Sequence, residues 1–516
     1  MSTATSAQPD PEGIVSIIER FVTTTRSPVV LDPGEEPLSI YPGSFSISLH
    51  GRTPVLECWS ETRNLVRRVR RVVEYRQGRL ELEVERFGNK VGRLLLLDRA
   101  NPVTDGAARQ GMRLQYRERF RLSLLRQFPG WTLAELSTEA DLHHSLSPAY
   151  PRALMRRGKA AFASIGASEN GDPDRALSFG LIWLDYLRTR ETRCTVEGLA
   201  IFVPEGSERA TCHRVRHLNS DAAHFAVFVH TQEGMETAAD LNDYANFSTR
   251  LDSFRQPLVL KQAAWQAAVE KLPLIDGVER RPRPDGSVSF AVRGLEFARL
   301  TKDGLKYGLE VRQSLTMDRQ LQELTKLAEG LADRRKMGAD RAHPLYQRRP
   351  EAWLEWQVRK NLQEIDATLD PEPVYVQAPH LAAGDRGVVD LLAIDGHNRL
   401  AVLELKTSQD IHLPLQALDY WMHVRWHLER GEFAANGYFA GREISAEPPR
   451  LCLVAPALDF HPTNETILKY FSPEVHAERI GVGIEWRQEL KVIHRAPVRS
   501  LWPSKSFGKL DTPSGT

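Results

Sequence analysis

The sequence predicts a multidomain protein of the mixed α/β, or α+β, class. Three observations lead to this prediction: the length of 516 residues, short runs in which polar and apolar residues alternate, and longer runs with apolar residues at helical spacing. At roughly 150 residues per domain, such a length corresponds to about three domains. Apolar residues make up 41% and charged residues 26% of the chain, which excludes a disordered or fibrous protein.

Charge, cysteine content and hydropathy narrow the class of protein further. The 68 Lys and Arg residues nearly balance the 67 Asp and Glu residues, so any surface for nucleic acid must be local. The 4 cysteines lie far apart and form no CxxC pair, which is typical of a reduced compartment. No apolar stretch approaches the roughly 20 residues needed to span a bilayer. We therefore expect a cytoplasmic protein without a membrane partner.

The N-terminal part of the chain predicts a β-rich, basic domain over 14–130, preceded by a disordered tail over 1–13. A short amphipathic helix is expected over 14–26. The run 44–98 alternates strongly and contains glycine-bearing turns, which predicts a small antiparallel sheet. Helical spacing over 106–127 then ends at a Phe-Pro-Gly sequence.

The middle region, 131–328, predicts an α/β arrangement of unknown role. An apolar helix is expected over 177–188, and buried strands are expected over 198–203 and 225–229. A second cluster of strands is expected over 283–312. We find no motif here that indicates separate chemistry.

The last third of the chain predicts one further domain, over 344–495. A polar, charged linker over 329–343 precedes it, and a polar tail over 496–516 follows it. One helix is expected over 350–369, with proline at its first position, and another over 413–429. A mixed sheet between these two helices is the expected core.

The run 387–407 is the part of the sequence that points to chemistry. Two apolar strands are joined by a turn, and they carry Asp390, Glu404 and Lys406. Residues two apart in a strand share a face, so Glu404 and Lys406 lie on one side, and hairpin pairing brings Asp390 to the same edge. Two carboxylates in an apolar setting repel each other, and a divalent cation relieves the repulsion. The alternative is a solvated strand face, with Asp390 only capping a strand.

The predicted metal is Mg²⁺ or Mn²⁺ rather than zinc, because the ligands are oxygens without a nearby set of thiols or histidines. Asp390 and Glu404 are the predicted ligands. The ammonium group of Lys406 is expected beside the metal. There it would orient or deprotonate an attacking water, or stabilise the charge that builds on a phosphate.

This arrangement resembles the PD-(D/E)xK nuclease superfamily, whose members have the restriction-endonuclease-like fold. The resemblance lies in Asp390 and in the tripeptide Glu404-Leu405-Lys406, and it extends over about 150 of the 516 residues. The proline that the family has before the aspartate is replaced here by Val389. The resemblance implies a mixed sheet flanked by helices, a Mg²⁺ or Mn²⁺ cofactor, and hydrolysis of phosphodiester bonds.

Two flanking features extend the resemblance. Upstream, Glu351 and Glu355 begin a helix, as the acidic first helix of the family does. Downstream, Gln416 and Tyr420 form a QxxxY pattern similar to that of RecB-type nucleases, which implies a helix whose two polar side chains face the metal and the DNA. The local run is also similar to the C-terminal domain of archaeal-type structure- and mismatch-directed endonucleases. For Gln416 and Tyr420, an ordinary amphipathic helix surface is the alternative.

Helical geometry orders the two helix glutamates. Glu351 falls near the middle of the apolar stripe of its helix, and Glu355 falls at the edge. An acid inside a core-facing stripe needs a reason, so Glu351 is the first choice for a third metal ligand and Glu355 is the second. Alternatively, acids in the first turn only suit the positive end of the helix dipole.

Phosphate contacts need arginine or lysine, and two N-terminal stretches supply them. The predicted nucleic-acid-binding residues are Arg67, Arg68, Arg70, Arg71, Arg113 and Arg117. Aromatic residues interleave with the second stretch and are suited to stack on unpaired bases. The alternative is that these arginines pair with nearby acids such as Glu81, Glu83 and Glu85.

The resemblance therefore implies a Mg²⁺- or Mn²⁺-dependent nuclease. DNA is the expected substrate and RNA is the alternative, and DNA repair or defence against foreign DNA is the expected role. The N-terminal two-thirds are expected to recognise the substrate or a partner, and a protein partner or a homodimer is compatible with the sequence. The alternative from another class is a catalytically weak nuclease fold that binds nucleic acid within a larger complex.

Overall fold

The computed structural model describes residues 10–25, 28–32, 38–40, 44–59, 64–76, 78–86, 90–98, 105–167, 172–231, 236–242, 249–251, 253, 270, 272–283, 287–301, 304–309, 313–314, 317–376 and 389–498. Of residues 39, 64, 86, 90, 105–115, 236, 282, 313–314 and 317–321, the backbone alone is described. The protein is of the mixed α/β class, and it divides into two compact units. The first consists of the described residues within Met1–Phe247 and of Glu465–Pro473; the second consists of those within Ser248–Asn464 and of Glu474–Val498.

The first unit begins with helix α1 (Pro11–Thr24) and a seven-stranded antiparallel sheet. Its strands are β1 (Pro28–Leu31), β2 (Leu38–Ser39), β3 (Phe45–His50), β4 (Thr53–Trp59), β5 (Asn64–Arg76), β6 (Arg79–Arg86) and β7 (Lys90–Asp98). They lie in the order β2-β1-β7-β6-β5-β4-β3. Leu80, Leu82 and Val84 alternate into a core with Ile18 of α1. The antiparallel sheet predicted within 44–98 is confirmed, and β1 and β2 extend it.

A six-stranded sheet, here called the N-terminal mixed sheet, completes the first unit. Its elements are α2 (Asp105–Gln127), β8 (Thr132–Ser137), β9 (Arg152–Arg157), β10 (Ala160–Gly166), α3 (Ala176–Arg190), β11 (Thr195–Pro204), α4 (Glu208–Val215), β12 (His224–His230) and β13 (Glu236–Ala238). Strands β8 to β10 pair antiparallel, β10 to β12 pair parallel, and β13 pairs antiparallel with β12. The apolar helix predicted over 177–188 is α3, which is buried along most of its length against β10 and β11.

The second unit begins with a five-stranded antiparallel sheet. Its strands are β14 (Val278–Pro282), β15 (Val288–Val292), β16 (Leu295–Thr301), β17 (Gly304–Tyr307) and β18 (Gln313–Ser314), paired in chain order. Helix α5 (Met317–Arg334) packs on this sheet through Leu324, Ala328 and Leu331. The strand cluster predicted over 283–312 lies within this sheet.

The segment 329–343, which the sequence predicts to be a linker, differs from that prediction in its first half. Helix α5 continues into it, and Arg335 is fully buried. The Arg335 guanidinium donates from Nη1 to the carbonyl oxygens of Leu345 and Arg348, at 2.8 and 2.6 Å, and from Nη2 to that of Arg293, at 3.1 Å. Charged composition suggests solvent exposure, but here main-chain carbonyls satisfy a buried cation.

A second six-stranded sheet, here called the C-terminal mixed sheet, follows α6 (Pro344–Gln347). Its elements are α7 (Pro350–Lys360), α8 (Leu362–Ile365), β19 (Tyr375–Val376), β20 (Leu391–Ile394), β21 (Leu400–Leu405), α9 (Leu413–Glu429), α10 (Glu432–Ala435), β22 (Arg450–Pro456), α11 (Thr463–Leu468), β23 (His476–Val482) and β24 (Val492–Pro497). Strands β19 to β21 pair antiparallel, β21 to β23 pair parallel, and β24 pairs antiparallel with β23.

Two details of this region depart from the sequence prediction. The single helix expected over 350–369 is two helices, because Asn361 leaves the helical conformation and its side-chain amide donates to the Gln357 carbonyl oxygen at 2.9 Å. Strand β23 was not predicted, since its polar and apolar residues do not alternate cleanly. The helix predicted over 413–429 is confirmed as α9. Within the described ranges, no helix is both long and apolar enough to cross a membrane.

Gly294 sets how closely α7 approaches the five-stranded sheet. It lies between β15 and β16 with a φ of +82°, and a Cβ atom there would lie 1.8 Å from the carbonyl oxygen of Ala352 in α7. We predict that Gly294→Ala lowers the free energy of unfolding by more than about 2 kcal/mol, because both the φ and the clash are unfavourable. Chemical denaturation measures this change.

The matched control is Gly330→Ala in α5, where a Cβ atom meets nothing within 4 Å. Alanine favours a helix over glycine by up to about 1 kcal/mol, so this variant is expected to be at least as stable as the natural chain. Unchanged stability of Gly294→Ala would contradict the close packing of α7.

Candidate active site

The candidate site is built on the hairpin of β20 and β21. The strands pair antiparallel with Leu391 opposite Leu403, so Asp390 and Glu404 occupy the next pair of positions. The N–H of Leu405 donates to Oδ2 of Asp390 at 2.8 Å and fixes that carboxyl group against the end of β21. The register of one hairpin therefore brings two acids together at the end of two buried strands.

Strand alternation decides which way Glu404 points. Leu403 and Leu405 pack in the core that contains Leu354 of α7, so Glu404 lies on the opposite face of the sheet. The Glu404 side chain is only 1% exposed, and its Oε2 atom has no hydrogen-bond partner among the described residues. A buried carboxylate oxygen without a partner is costly, so a ligand that accepts its lone pairs would stabilise the site.

Burial raises the pKa of both carboxyl groups. For Glu404, burial is the first cause and the charge of Asp390 is the second, and together they hold the pKa well above its ordinary value. For Asp390, burial raises the pKa to about 7, although the N–H of Leu405 opposes this. Two adjacent buried carboxyl groups disfavour a state in which both are ionised, so each holds its proton above the ordinary range. Without a cation, the pair therefore retains a proton where ordinary carboxyl groups have lost theirs.

Lys406 lies directly after β21 and between two acids. Its Nζ atom is 3.9 Å from Oε1 of Glu404 and 4.0 Å from Oε1 of Glu351. Burial alone would lower the pKa of Lys406, but the neighbouring acids, Glu404 first, outweigh it and raise the pKa above its ordinary value. Lys406 is therefore protonated at neutral pH and supplies positive charge to the site.

The burial of the two α7 glutamates is the reverse of the sequence prediction, since Glu355 rather than Glu351 is the buried one. Glu351 is 47% exposed and faces Lys406. Partial loss of solvent raises the pKa of Glu351, and the charge of Lys406 opposes the rise. Glu355 is buried, and its Oε1 accepts from Nη1 of Arg281 at 2.8 Å. Among the neighbouring charges that raise the pKa of Asp390, that of Glu355 comes first.

Gln416 and Tyr420 share one face of α9. Nε2 of Gln416 donates to the Tyr420 hydroxyl oxygen at 3.1 Å. Tyr420 is 2% exposed, and burial, followed by the charge of Glu404, raises its pKa above the ordinary value. The charges of Glu404 and Asp390 thus act on the hydroxyl group of Tyr420. The QxxxY pattern therefore lies beside the hairpin rather than on an unrelated surface.

The carboxyl groups of Asp390 and Glu404 offer oxygen ligands to a divalent cation. Among the described residues, no group of three or more His, Cys, Asp and Glu side chains stands together as a ready metal cage. Two carboxyl groups, one of them with an unpartnered oxygen, nevertheless suit Mg²⁺, which commonly binds one or two protein carboxylates and keeps several water ligands. Asp390 and Glu404 thus fit the predicted cation as a partial coordination shell.

Sequence reasoning missed two residues that act on the site. Asp410 raises the pKa of both Glu351 and Lys406 through its charge. Because Asp410 lies four residues after Lys406, the sequence alone could have indicated that it belongs to the site. Arg281 pairs with Glu355 from a strand of the five-stranded sheet, and its distance along the chain left no local signal.

The predicted nucleic-acid-binding arginines differ in whether they form ion pairs. Arg67 pairs with buried Asp32 at 2.5 Å, while Arg70 and Arg71 pair with acids of β6 at 3.2 and 2.7 Å. These three therefore follow the alternative that the sequence left open. Arg68 and Arg117 form no ion pair with a described residue. The side chain of Arg113 lies outside the described residues.

Neither a family model, nor a curated protein, nor a solved structure matches this chain.

The raised pKa values predict how stability depends on pH without a divalent cation. Between about pH 4 and pH 7 the folded state retains protons on Asp390 and Glu404 that the unfolded state releases, so the contribution of these two groups to the free energy of unfolding falls as pH rises. Glu404→Gln removes the contribution of Glu404, while burial still raises the pKa of Asp390. The variant is expected to exceed the natural chain in stability by more than about 1 kcal/mol at pH 8, and by less at pH 5.

Denaturant unfolding with EDTA at the two pH values measures the difference. Glu443→Gln is the control, because Glu443 is exposed and forms no ion pair with a described residue. An equal or lower stability of Glu404→Gln at pH 8 would show that the acids are not forced together.

Proposed function

We propose that the C-terminal mixed sheet carries a Mg²⁺- or Mn²⁺-dependent nuclease that hydrolyses phosphodiester bonds of DNA. The observation that supports this most is the buried Oε2 atom of Glu404, which has no partner among the described residues and lies beside Asp390 and Lys406. A mixed sheet between α7 and α9, as the resemblance to the PD-(D/E)xK superfamily implies, adds support.

Asp390 and Glu404 are the residues that would hold the cation. Bound there, the cation would polarise a phosphate oxygen and lower the pKa of a water ligand. Glu351 is the proposed third ligand; since 47% of its side chain is exposed, water and substrate can reach its carboxylate. Glu355 remains the second choice, because its carboxylate is already occupied by Arg281.

Lys406 acts in this proposal through its charge. Its ammonium group lies 3.9 Å from Glu404, so a phosphate held by the same acids through a cation would lie within its field. The negative charge that builds on the phosphate during attack is stabilised by this group. Gln416 and Tyr420 position the substrate or the water from α9. The charge of Glu404 already acts on the Tyr420 hydroxyl group and raises its pKa.

Substrate binding outside the site is proposed to use positive side chains of the first unit. Arg68 and Arg117 are the candidates with no ion pair to a described residue. RNA is the alternative substrate. A role in DNA repair or in defence against foreign DNA rests on the resemblance alone.

A second candidate function is a nucleic-acid-binding module with little catalysis. It is favoured by the absence, among the described residues, of a complete cage of three or more metal-ligating side chains. Cleavage and cation binding, measured separately, distinguish the two functions.

The nuclease function is tested by replacing the proposed catalytic groups. We expect Asp390→Asn, Glu404→Gln and Lys406→Ala each to lower cleavage by more than about 100-fold, because each removes a cation ligand or the charge that stabilises the transition state. The assay uses purified protein, Mg²⁺ or Mn²⁺, and linear, circular, flapped, mismatched and single-stranded DNA and RNA.

Matched controls are Glu443→Gln and Lys491→Ala, which change exposed side chains of the same charge type. Both are expected to cleave like the natural chain. Undiminished cleavage by Glu404→Gln would exclude this site as the source of activity.

Cation binding is tested by thermal unfolding with and without Mg²⁺ or Mn²⁺. A cation that binds the folded state at 100 times its Kd stabilises the protein by about 2.7 kcal/mol. We expect the natural chain and Glu443→Gln to gain Tm with either cation, and Glu404→Gln to gain none. An equal gain in Glu404→Gln would place the cation elsewhere.

A further inference from the structure

The two mixed sheets have the same topology. In each, three strands pair antiparallel in chain order, the third pairs parallel with the fourth and the fourth with the fifth, and the sixth pairs antiparallel with the fifth. Helical structure precedes the first strand in both sheets, α2 in the first unit and α7 with α8 in the second. The first parallel connection contains α3 in the first unit and α9 with the short α10 in the second, and the next parallel connection contains α4 and α11. Every strand of one sheet therefore has a counterpart in the other.

The strand sequences allow these counterparts to be aligned residue by residue. The fourth strands, β11 and β22, end in LAIFVP and LCLVAP, and each closes at a proline, Pro204 or Pro456. The number of residues from this proline to the histidine that opens the fifth strand, His224 or His476, is the same in both sheets. Because Pro204 aligns with Pro456, Phe202 aligns with Val454.

Hydrogen bonds between the third and fourth strands fix the alignment of the third strand. The N–H of Ala167 donates to the carbonyl oxygen of Phe202 at 2.8 Å, and the N–H of Lys406 donates to that of Val454 at 3.0 Å. Ala167 is therefore the counterpart of Lys406. The parallel registers confirm this, since Ile165 lies opposite Ile201 and Glu404 lies opposite Leu453.

The antiparallel register then identifies the counterpart of the aspartate. In the N-terminal mixed sheet, Arg152 lies opposite Ile165. In the C-terminal mixed sheet, Asp390 and Glu404 occupy the positions next to the pair Leu391 and Leu403, so Asp390 lies opposite Glu404. The residues at the counterpart positions of Asp390, Glu404 and Lys406 are thus an arginine, an isoleucine and an alanine: Arg152, Ile165 and Ala167. None of the three groups required at the candidate site is present in the N-terminal mixed sheet.

Aromatic side chains of α2 lie at the corresponding strand end, on the face that Leu405 occupies in the second unit. A Cβ atom on Gly166, the counterpart of Leu405, would lie 2.9 Å from the Tyr116 hydroxyl oxygen and 3.0 Å from the ring of Phe120. Tyr116 donates its hydroxyl to the carbonyl oxygen of Ala167 at 2.7 Å. Helix α2 thus brings aromatic groups to the strand end where α7 brings Glu351 and Glu355.

Arg152 is buried and packed against its neighbours, although its Nε atom has no hydrogen-bond partner among the described residues. It is 5% exposed, its Nη1 donates to the carbonyl oxygen of Glu139 at 2.8 Å, and its guanidinium lies 5.5 Å from the ring centre of Trp183. The arginine that replaces the aspartate is a packed structural residue.

We infer that the chain contains the same fold twice and that the N-terminal mixed sheet is a closed, non-catalytic copy. This inference rests on the proposed function for its consequence: each chain has one site, so a single bound chain breaks one strand. In that step, the oxygen of one water forms a bond to phosphorus and one P–O ester bond breaks. The leaving oxygen takes up a proton from that water. The product is a nicked duplex rather than a double-strand break.

The number of sites per chain is measured with the full chain and Mn²⁺ alone, by electron paramagnetic resonance. We expect one tight site, lost in Glu404→Gln and retained in Arg152→Met, which removes the charge of the counterpart residue while keeping a similar volume. A second tight site, or one that survives Glu404→Gln, overturns the inference. The absence of any tight site overturns both the inference and the proposed metal-dependent function.

Cleavage is then followed on supercoiled circular DNA, with less protein than DNA. We expect nicked circles to accumulate before linear DNA, and Arg152→Met to cut within about twofold of the natural rate. Linear DNA formed from the start at the rate of nicked circles, by a chain shown by light scattering to be monomeric at that concentration, would show two cuts per chain and overturn the inference. If no nucleic acid is cut while one Mn²⁺ site is present, the nuclease function fails and the inference of a single site stands.

Discussion

The antiparallel pairing of β20 with β21 is the constraint on which the candidate site depends. It places Asp390 opposite Glu404 at the end of two strands whose other residues are buried and apolar. A slip of one residue would exchange the faces of β21, turning Glu404 into the core beside α7 and a leucine toward α9. Because the apolar residues of this strand enforce the register, the energy of the core is what holds two mutually repelling acids together.

A second constraint fixes the helix that supplies the remaining acids. Glu355 is held by Arg281, and Arg281 and Arg359 both pair with Glu279 of the same five-stranded sheet. Buried ion pairs contribute to geometry more reliably than to stability, because each partner would be costly alone. This network orients α7 so that Glu355 remains in the protein while Glu351 is turned to solvent beside Lys406. The site thus combines a rigid buried pair with a more accessible third acid.

Much of this could be predicted from local pattern. The hairpin, α9 and the antiparallel strands within 44–98 follow from periodicity and turn residues, and the grouping of Asp390, Glu404 and Lys406 follows from alternation alone. The break at Asn361 could not, because the apolar stripe continues across it. The pairing of Glu355 with Arg281 and the ion pairs of Arg67, Arg70 and Arg71 depend on contacts between elements, which single-sequence periodicity does not contain. The similarity of β11 and β22 was visible in the sequence, but only the shared register gives it meaning.

The buried Arg335 has an evolutionary consequence. One planar cation binds three carbonyl oxygens, from the turn after β15 and from the segment that leads into α7. A lysine has a single nitrogen and cannot reproduce this fork. Gly294 lies in the same turn, and Trp353 of α7 lies under the guanidinium at 4.6 Å from its ring centre. Homologous chains are therefore expected to keep or to lose Arg335, Gly294 and Trp353 together. Covariation among these three residues would identify the homologues in which this packing arrangement is preserved.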